Sequence, residues 1–174
     1  MLKLFIFDVD GCLTDGKKIY DKDANCCYKS FCDKDWTVLK RLQSLDIKTH
    51  AITGDPWNEN ILKARNINYS ITRSEKKENL LPYLMNKYKV KTKNICYIGD
   101  DIFDRELLLK VKYSFCPNDA IDFRSKKILR LNSKGGENVL VEVFNFLKKE
   151  KLIKNLNYEK EMEKVIYLDR NEKF

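Results

Sequence analysis

Short apolar runs alternate with segments of helical spacing along most of this chain, and this alternation limits the possible folds more than any other feature. The runs cover residues 2–7, 47–52 and 94–98, with a weaker one at 111–116. Apolar runs of this length, bounded by turn residues, are typical of buried strands. The intervening segments carry apolar residues three and four positions apart, which predicts helices. These helical stripes are Val38, Leu39, Leu42 and Leu45; Leu80, Leu81, Leu84, Met85 and Tyr88; and Val139, Leu140, Val143, Phe144 and Leu147.

The alternation predicts an α/β fold with a Rossmann-like parallel sheet and helices on both faces. Residues 17–33 interrupt the pattern, because Asp21-Lys-Asp-Ala-Asn25 lies between two short apolar pieces and is typical of a hairpin turn. We therefore expect a small β-hairpin insertion after the first strand. Neither this interval nor the one between Asp55 and Asn94 has room for a cap domain, so we expect an open site unless another subunit covers it.

Polar residues follow the predicted strands at the ends where parallel sheets bind ligands. Asp8 and Asp10 come after the first run, Thr53 follows the second, and Asp100 follows the third. Two carboxylates separated by one residue can reach the same cation, and carboxylate oxygens are ligands that Mg²⁺ prefers. A carboxylate can also act as a nucleophile in phosphoryl transfer. The alternative is that Asp-x-Asp-Gly is only a polar turn that ends a strand.

These motifs, in this order, resemble those of the haloacid dehalogenase superfamily of phosphohydrolases. Its Asp-x-Asp, Ser/Thr, Lys and acidic Gly-Asp motifs match Asp8/Asp10, Thr53, Lys77 and the segment from Gly99 to Asp104. More narrowly, the chain is similar to the branch of 3-deoxy-manno-octulosonate 8-phosphate phosphatases. The resemblance covers residues 1–148, and the segments that carry it are Asp8–Gly16, Ile19-Tyr20 to Lys29-Ser-Phe31, Gly99–Asp101, Pro117–Ala120 and Gly135-Gly136.

The resemblance implies a Mg²⁺-dependent phosphomonoesterase acting through an aspartyl-phosphate. Asp8 would be the nucleophile and a Mg²⁺ ligand. Asp10 would be the general acid and then the general base, and its backbone carbonyl would bind the metal. Asp100 would complete the set of protein ligands. The implied substrate is a phosphorylated sugar or keto-sugar acid.

The remaining motif residues receive supporting roles from the same resemblance. The Thr53 hydroxyl and the Gly54 amide would bind phosphoryl oxygens, while Lys77 would offset the charge that gathers around Asp8. Lys77 is preferred to the lysine before it because its distance from Gly99 matches the family spacing. Asp101 and Asp104 would hydrogen-bond to metal-bound waters and hold Lys77, or they would cap the helix that follows them.

Two departures from the family pattern bear on specificity. Asp55 stands where this branch usually carries arginine, and Val141 and Glu142 stand where it carries an Arg-Glu pair. Both changes remove an arginine, the side chain best suited to grip a substrate carboxylate with two hydrogen bonds. Arg73, in a neighbouring loop, is the candidate replacement.

The resemblance also implies a homotetramer in which the hairpin packs between subunits. Residues 1–148 would form the hydrolase domain. Residues 149–174 would form a charged tail, in which Tyr158 to Tyr167 have the pattern of a short amphipathic helix.

Composition excludes some functions and leaves others open. No apolar run approaches the roughly 20 residues of a membrane-spanning helix, so we expect no membrane partner and a cytoplasmic location. The net charge is +8, and residues 63–93 hold nine lysines and arginines against two glutamates. Because of this positive face, a phosphatase for nucleic-acid 3′ ends is an alternative hypothesis, although a sugar-phosphate substrate is favoured. A non-catalytic oligomeric interaction module is the third hypothesis.

Overall fold

The computed structural model describes residues 1–73 and 75–173 and, of Cys27, only the backbone. These residues form eight strands and six α-helices. The strands are β1 Leu4–Phe7, β2 Ile19–Tyr20, β3 Cys26–Tyr28, β4 Lys48–Thr53, β5 Asn68–Ile71, β6 Ile95–Ile98, β7 Tyr113–Cys116 and β8 Leu129–Arg130. The helices are α1 Asp33–Ser44, α2 Glu59–Ala64, α3 Leu81–Tyr88, α4 Arg105–Lys110, α5 Val139–Lys149 and α6 Tyr158–Arg170. Short 3₁₀ turns cover Pro56–Asn58, Lys77–Leu80, Thr92–Asn94 and Ile102–Asp104.

Six strands form one parallel sheet in the order β5-β4-β1-β6-β7-β8. Strand β1 is buried on both faces. Since successive side chains point to opposite sides of a strand, they pack with helices on opposite faces of the sheet. Phe5 and Phe7 pack with α1 and α5, whereas Leu4 and Ile6 pack with α3 and α4. The predicted α/β fold, with a parallel sheet and helices on both faces, is confirmed.

The interval between β1 and α1 holds the predicted hairpin. Strands β2 and β3 pair antiparallel, with a register shift at Ile19/Tyr20. Asp21 Oδ1 accepts hydrogen bonds from the backbone N–H groups of Asp23 and Asn25, which closes the turn. Among the elements that the structure describes, none forms a cap domain over the sheet.

Helix α6 packs along α1 on one side of the sheet. Glu161 accepts a hydrogen bond from Arg41, and Lys40 forms an ion pair with Asp169. Across residues 1–73 and 75–173, no helix has the length and apolar character needed to cross a membrane.

Candidate active site

Three adjacent strands bring the principal polar residues of the site to one edge of the sheet. Asp8 directly follows β1, Thr53 is the last residue of β4, and Asp100 lies two residues beyond β6. Because β1 pairs with both β4 and β6, the carboxyl ends of these strands are neighbours. The topology therefore places residues from distant parts of the chain side by side.

Lys77 lies between two carboxylates. Its Nζ is 2.6 Å from Asp8 Oδ2 and 2.6 Å from Asp104 Oδ1. Burial alone would lower the pKa of the Lys77 ammonium, but the two carboxylates raise it above its ordinary value. Lys77 is therefore a buried cation held between Asp8 and Asp104.

Asp104 holds this arrangement with both of its carboxylate oxygens. Oδ1 accepts from Lys77 and from the Tyr97 hydroxyl, and Oδ2 accepts from the backbone N–H groups of Asp100 and Asp101 at 3.0 Å each. Asp101 caps the 3₁₀ turn through the N–H of Ile102. The structure therefore places Asp104 against Lys77 and Asp101 at a helix cap.

Three carboxylates form a cluster that could hold a metal ion. One oxygen from each of Asp8, Asp100 and Asp104 lies within 4.8 Å of the others. Asp100 Oδ1 is buried and has no hydrogen-bond partner within the described part of the chain. Burial raises the pKa of Asp8 to about 7, against the influence of Lys77. Burial, with the charges of Asp8 and Asp104, raises the pKa of Asp100 to about 8.

A divalent cation fits this cluster. It would give the orphaned Asp100 oxygen a partner and relieve the repulsion between the buried carboxylates. Since Asp104 already accepts four hydrogen bonds, Asp8 and Asp100 are the carboxylates with capacity for a metal. An all-oxygen donor set suits Mg²⁺.

Asp10 points its carboxylate away from this cluster and toward the hairpin. Lys29 Nζ is 2.7 Å from Asp10 Oδ1 and 3.0 Å from Oδ2, and Asn58 Nδ2 donates to Oδ2 at 2.9 Å. The Asp10 side chain therefore has surroundings different from those of Asp8, although only one residue separates them.

Lys29 and Asn58 were not assigned site roles from the sequence. The Lys29 side chain is fully buried, and its ammonium also bonds to Asp55 at 2.7 Å and to Asn58 Oδ1 at 2.9 Å. The segment around Lys29 is one of those that carry the resemblance to the family, and this is the one sequence signal that could have pointed to Lys29. No local pattern shows that a hairpin lysine reaches residues 19 and 26 positions away.

The turn after β4 forms another wall of the site. Thr53 Oγ1 accepts hydrogen bonds from Asn58 Nδ2 at 2.8 Å and from the Asp55 N–H at 3.1 Å. A side chain on Gly54 would meet no atom within 4 Å, so its backbone faces open space. The turn thus presents a buried hydroxyl and an unobstructed main chain.

Asp55, at the position where the resemblance leads us to expect an arginine, is surrounded by positive charge. Its Oδ2 is 2.7 Å from Lys29 Nζ and 2.8 Å from Lys18 Nζ, and its Oδ1 accepts from the Trp57 N–H. Partial burial would raise the pKa of this carboxyl, but the hydrogen bonds from the two lysines and from Trp57 hold it well below its usual range. The negative charge of Asp55 is therefore neutralised inside the site.

A cavity of about 940 Å³ opens over these groups. Its floor includes Asp8, Asp10 and Asp100. Arg73 also lines the cavity and is exposed. The residue that the sequence suggests as a substitute for the family arginine therefore lies at the site. The other wall residues include Lys18, Tyr20, Gly54, Trp57, Lys77 and Phe103.

The comparisons with known proteins point to one family. No protein-family model matches the chain. The 3-deoxy-D-manno-octulosonate 8-phosphate phosphatase of Haemophilus influenzae is 32% identical over 123 residues, which are 68% of this chain and 67% of that protein.

Solved structures of similar proteins agree with the sequence comparison. The cobalt-bound form of the deoxy-D-mannose-octulosonate 8-phosphate phosphatase from Haemophilus influenzae superposes with a TM-score of 0.78 and 28% identity, covering 86% of this chain and 90% of that one. The enzyme from Moraxella catarrhalis, in complex with magnesium, phosphate and KDO, gives a TM-score of 0.76 at 26% identity, covering 85% and 86%.

Proposed function

Since the chain belongs to the haloacid dehalogenase superfamily, in the branch of 3-deoxy-D-manno-octulosonate 8-phosphate phosphatases, we propose that it is a Mg²⁺-dependent phosphomonoesterase acting on a phosphorylated sugar or keto-sugar acid of that type. Its phosphatase class follows from the family. The metal, the substrate and the covalent intermediate are the parts that we propose. The observation that carries the proposal is the Asp8, Asp100 and Asp104 cluster, with Lys77 against Asp8 and a buried Asp100 oxygen that lacks a partner.

In this proposal, Asp8 attacks the phosphorus atom in line with the leaving oxygen. A bond forms between a carboxylate oxygen and phosphorus, while the bond between phosphorus and the leaving oxygen breaks. Asp10 donates a proton to the leaving oxygen, then accepts one from the water that hydrolyses the aspartyl-phosphate. The two aspartates thus divide nucleophilic and proton-transfer work, in keeping with their different surroundings.

Charge on the phosphoryl group is met by groups already in place. Lys77 offsets charge beside Asp8, and Thr53 and Gly54 bind phosphoryl oxygens at the turn after β4. Asp8 and Asp100, with the backbone carbonyl of Asp10, would hold Mg²⁺, which supplies neutralisation of the phosphoryl oxygens when bound. Asp104 holds Lys77 in position.

The substrate proposal rests on the family, on the positive charge around the cavity and on its volume. Arg73 and Lys18 line the cavity and can bind an anionic group of the substrate beyond its phosphate. Asp55, held by Lys18 and Lys29, is positioned to accept hydrogen bonds from substrate hydroxyls. Arg73 is thus a substrate-binding residue in this proposal.

The test is phosphate release from a panel of substrates with and without Mg²⁺. The panel contains phosphorylated sugars, phosphorylated keto-sugar acids, nucleotides and 3′-phosphorylated oligonucleotides. We expect Mg²⁺-dependent release that is fastest from a sugar or keto-sugar acid phosphate. Asp8→Asn should lower it by about 10³-fold or more, because the amide is a poor nucleophile. Asp23→Asn makes the same change on the exposed hairpin turn and should leave the rate unchanged.

Each other outcome has a defined meaning. Preference for the oligonucleotides, with strong salt dependence, would favour the 3′-end phosphatase. Absence of phosphate release from every substrate of the panel would favour the non-catalytic interaction module. Full turnover by Asp8→Asn would overturn the mechanism.

We also propose, from the family resemblance, a homotetramer in which the hairpin packs between subunits. The exposed apolar side chains of Ile19, Tyr20 and Tyr28 on the hairpin support this arrangement. The division into a hydrolase domain at 1–148 and a tail at 149–174, and the cytoplasmic location, remain proposals as well.

A further inference from the structure

The Lys29 ammonium joins three parts of the site through a side chain that water does not reach. It bonds to Asp10 in the loop after β1 and to Asp55 and Asn58 beyond β4, all at 2.7–3.0 Å, while its own residue lies just after the hairpin strand β3. We propose that Lys29 is a positioning residue, which orients the Asp10 carboxyl group for proton transfer to the leaving oxygen. This inference rests on the function proposed above.

The burial of Lys29 requires a specific set of partners. An ammonium removed from water is costly unless it is paired and fully hydrogen-bonded. Its three protons match three acceptors, namely Asp10, Asp55 and Asn58. Its ammonium also lies over the Trp57 ring, with Nζ 5.1 Å from the ring centre, and the Trp57 indole N–H donates to the Cys26 carbonyl of the hairpin at 2.8 Å. Since every proton has an acceptor and the Trp57 ring adds a further contact, the ammonium has one position.

Asp10, by contrast, has few other constraints on its orientation. Besides Lys29, its carboxylate accepts from Asn58 at 2.9 Å and from Thr14 Oγ1 at 3.5 Å, the limit of a hydrogen bond. Asn58 is itself fixed by Lys29 through its Oδ1 and by Thr53 through its Nδ2. Removal of the Lys29 ammonium would therefore loosen the Asp10 carboxyl group directly and through Asn58.

The arrangement leaves room for the proton that Asp10 must carry. A carboxyl group offers about four acceptor positions. Lys29 and Asn58 occupy both positions of Oδ2, and Lys29 occupies one of Oδ1. The remaining position on Oδ1 is contacted within the described residues by Thr14 Oγ1, at the 3.5 Å limit of a hydrogen bond, and can hold the proton. In the transfer step that proton passes to the leaving oxygen as the phosphorus–oxygen bond breaks, and Lys29 keeps its own protons.

A leaving-group comparison separates positioning of Asp10 from a general structural role. An alkoxide needs a proton as it leaves, whereas 4-nitrophenolate does not. The value of kcat/KM covers steps through formation of the aspartyl-phosphate and excludes its later hydrolysis, in which Asp10 acts on all substrates alike. We expect Lys29→Met to lower kcat/KM for the best sugar phosphate of the panel about 100-fold, and for 4-nitrophenyl phosphate less than about fivefold.

A double-mutant cycle gives a second readout on the sugar phosphate alone. If Lys29 acts through Asp10, Asp10→Asn should show the same leaving-group pattern, and adding Lys29→Met to Asp10→Asn should cause less than about a threefold further loss. Independent roles would instead give losses that multiply.

Two hairpin lysines serve as matched controls. Lys22 is exposed and pairs only with Asp23 among the described contacts, so Lys22→Met should leave both substrates unaffected. Lys18 shares Asp55 with Lys29 but makes no described contact with Asp10. The loss that Lys18→Met causes on the sugar phosphate should therefore multiply with the loss caused by Asp10→Asn.

The results that would overturn the inference are an equal fall for both substrates in Lys29→Met, no fall, or multiplicative losses in the cycle. Should Lys29→Met fail to fold, Lys29→Met/Asp55→Asn removes one carboxylate with the cation; it is compared with Asp55→Asn alone, and the same expectations and refutations apply to that comparison. Failure of the proposed function is distinct, because the wild-type protein would then release no phosphate in Mg²⁺.

Discussion

Asp104 holds the buried charged groups of the site in position through hydrogen bonds. Its carboxylate accepts from Lys77, from Tyr97 and from two backbone N–H groups, so it has a full set of hydrogen-bond donors in apolar surroundings. Lys77 consequently stands between one carboxylate with a complete set of donors and the Asp8 carboxylate, which is the nucleophile in the proposed mechanism. In that proposal, two aspartates that look alike in sequence have different roles, one supporting and one reactive.

Gly11 allows Asp100 to approach the loop after β1. It has a φ of +79°, and a Cβ atom there would lie 2.0 Å from Asp100 Oδ2. Gly11→Ala should therefore displace Asp100, weaken Mg²⁺ binding and lower Mg²⁺-dependent activity at least about tenfold. The added backbone strain should lower Tm by roughly 3 °C or more.

Gly54→Ala is the matched control for stability, since an added Cβ meets no atom within 4 Å there. We expect its Tm to stay within about 2 °C of wild type. Thermal unfolding and Mg²⁺ titration of both variants make the test. Wild-type stability and Mg²⁺ affinity in Gly11→Ala would refute the close-approach argument.

At the scale of elements, helix ends are stabilised by side chains from other elements. Helix α5 begins after Asn138, which has a φ of +64° and provides no side-chain cap. Asp35 of α1 supplies it instead, because its Oδ1 accepts from the N–H groups of Leu140 and Val141 at 3.0 and 3.2 Å. Burial raises the pKa of this Asp35 carboxyl to about 6, against these N–H groups. The orientation of α5 therefore depends on α1, and neither helix segment indicates this by itself.

Helix α6 depends on ion pairs for its attachment, which gives a testable pair of variants. The Arg41 Nε lies 2.5 Å from Glu161 Oε1, whose side chain is 11% exposed. Glu161→Gln should lower the free energy of unfolding by about 1 kcal/mol, because a buried charge-assisted hydrogen bond is weakened. Since Arg41 is itself partly exposed, a larger loss is not expected.

Glu163→Gln, on an exposed position of the same helix, makes the identical chemical change and should alter stability by less than about 0.5 kcal/mol. Urea unfolding of the two variants compares them directly. Equal effects at positions 161 and 163 would show that the ion pair does not hold α6.

At the scale of the whole molecule, the carboxylate cluster links stability to pH and Mg²⁺. Asp8 and Asp100 have folded-state pKa values of about 7 and 8, raised by burial above the ordinary value of 3.8. The folded protein therefore holds these protons more tightly than the unfolded chain does. Their contribution to stability is complete below the unfolded pKa and is lost as pH rises through the folded values.

We expect the Tm of protein in EDTA to fall by roughly 5 °C between about pH 6.5 and 9. This window lies above the pKa values of His50 and Asp35, which are about 4 and 6, so those groups add little there. Mg²⁺ should raise Tm more at the upper pH, because it binds the ionised carboxylates. Scanning calorimetry at both pH values measures this. A pH-independent Tm in EDTA, or an equal Mg²⁺ effect at both values, would contradict it.

The strand and helix pattern was readable from the chain because it depends on local periodicity. Apolar runs and 3.6-residue stripes predict the elements, and parallel strand order then brings Asp8, Thr53 and Asp100 to one edge. The two-residue strand β8 was not predicted, because it is too short to produce a period. The resemblance to a known family added the order of the motifs, and the comparisons confirm that family.

What the sequence determined by itself was thus the fold class and the positions of the motif residues, since both follow from spacing along the chain. Only the tertiary structure decided which side chains meet across loops. It placed Lys29 on Asp10, paired Asp55 with Lys18 and Lys29, and gave Asp104 its four donors. The physical reason is that such contacts depend on the path of the hairpin and on burial, and neither leaves a periodic signal in the sequence.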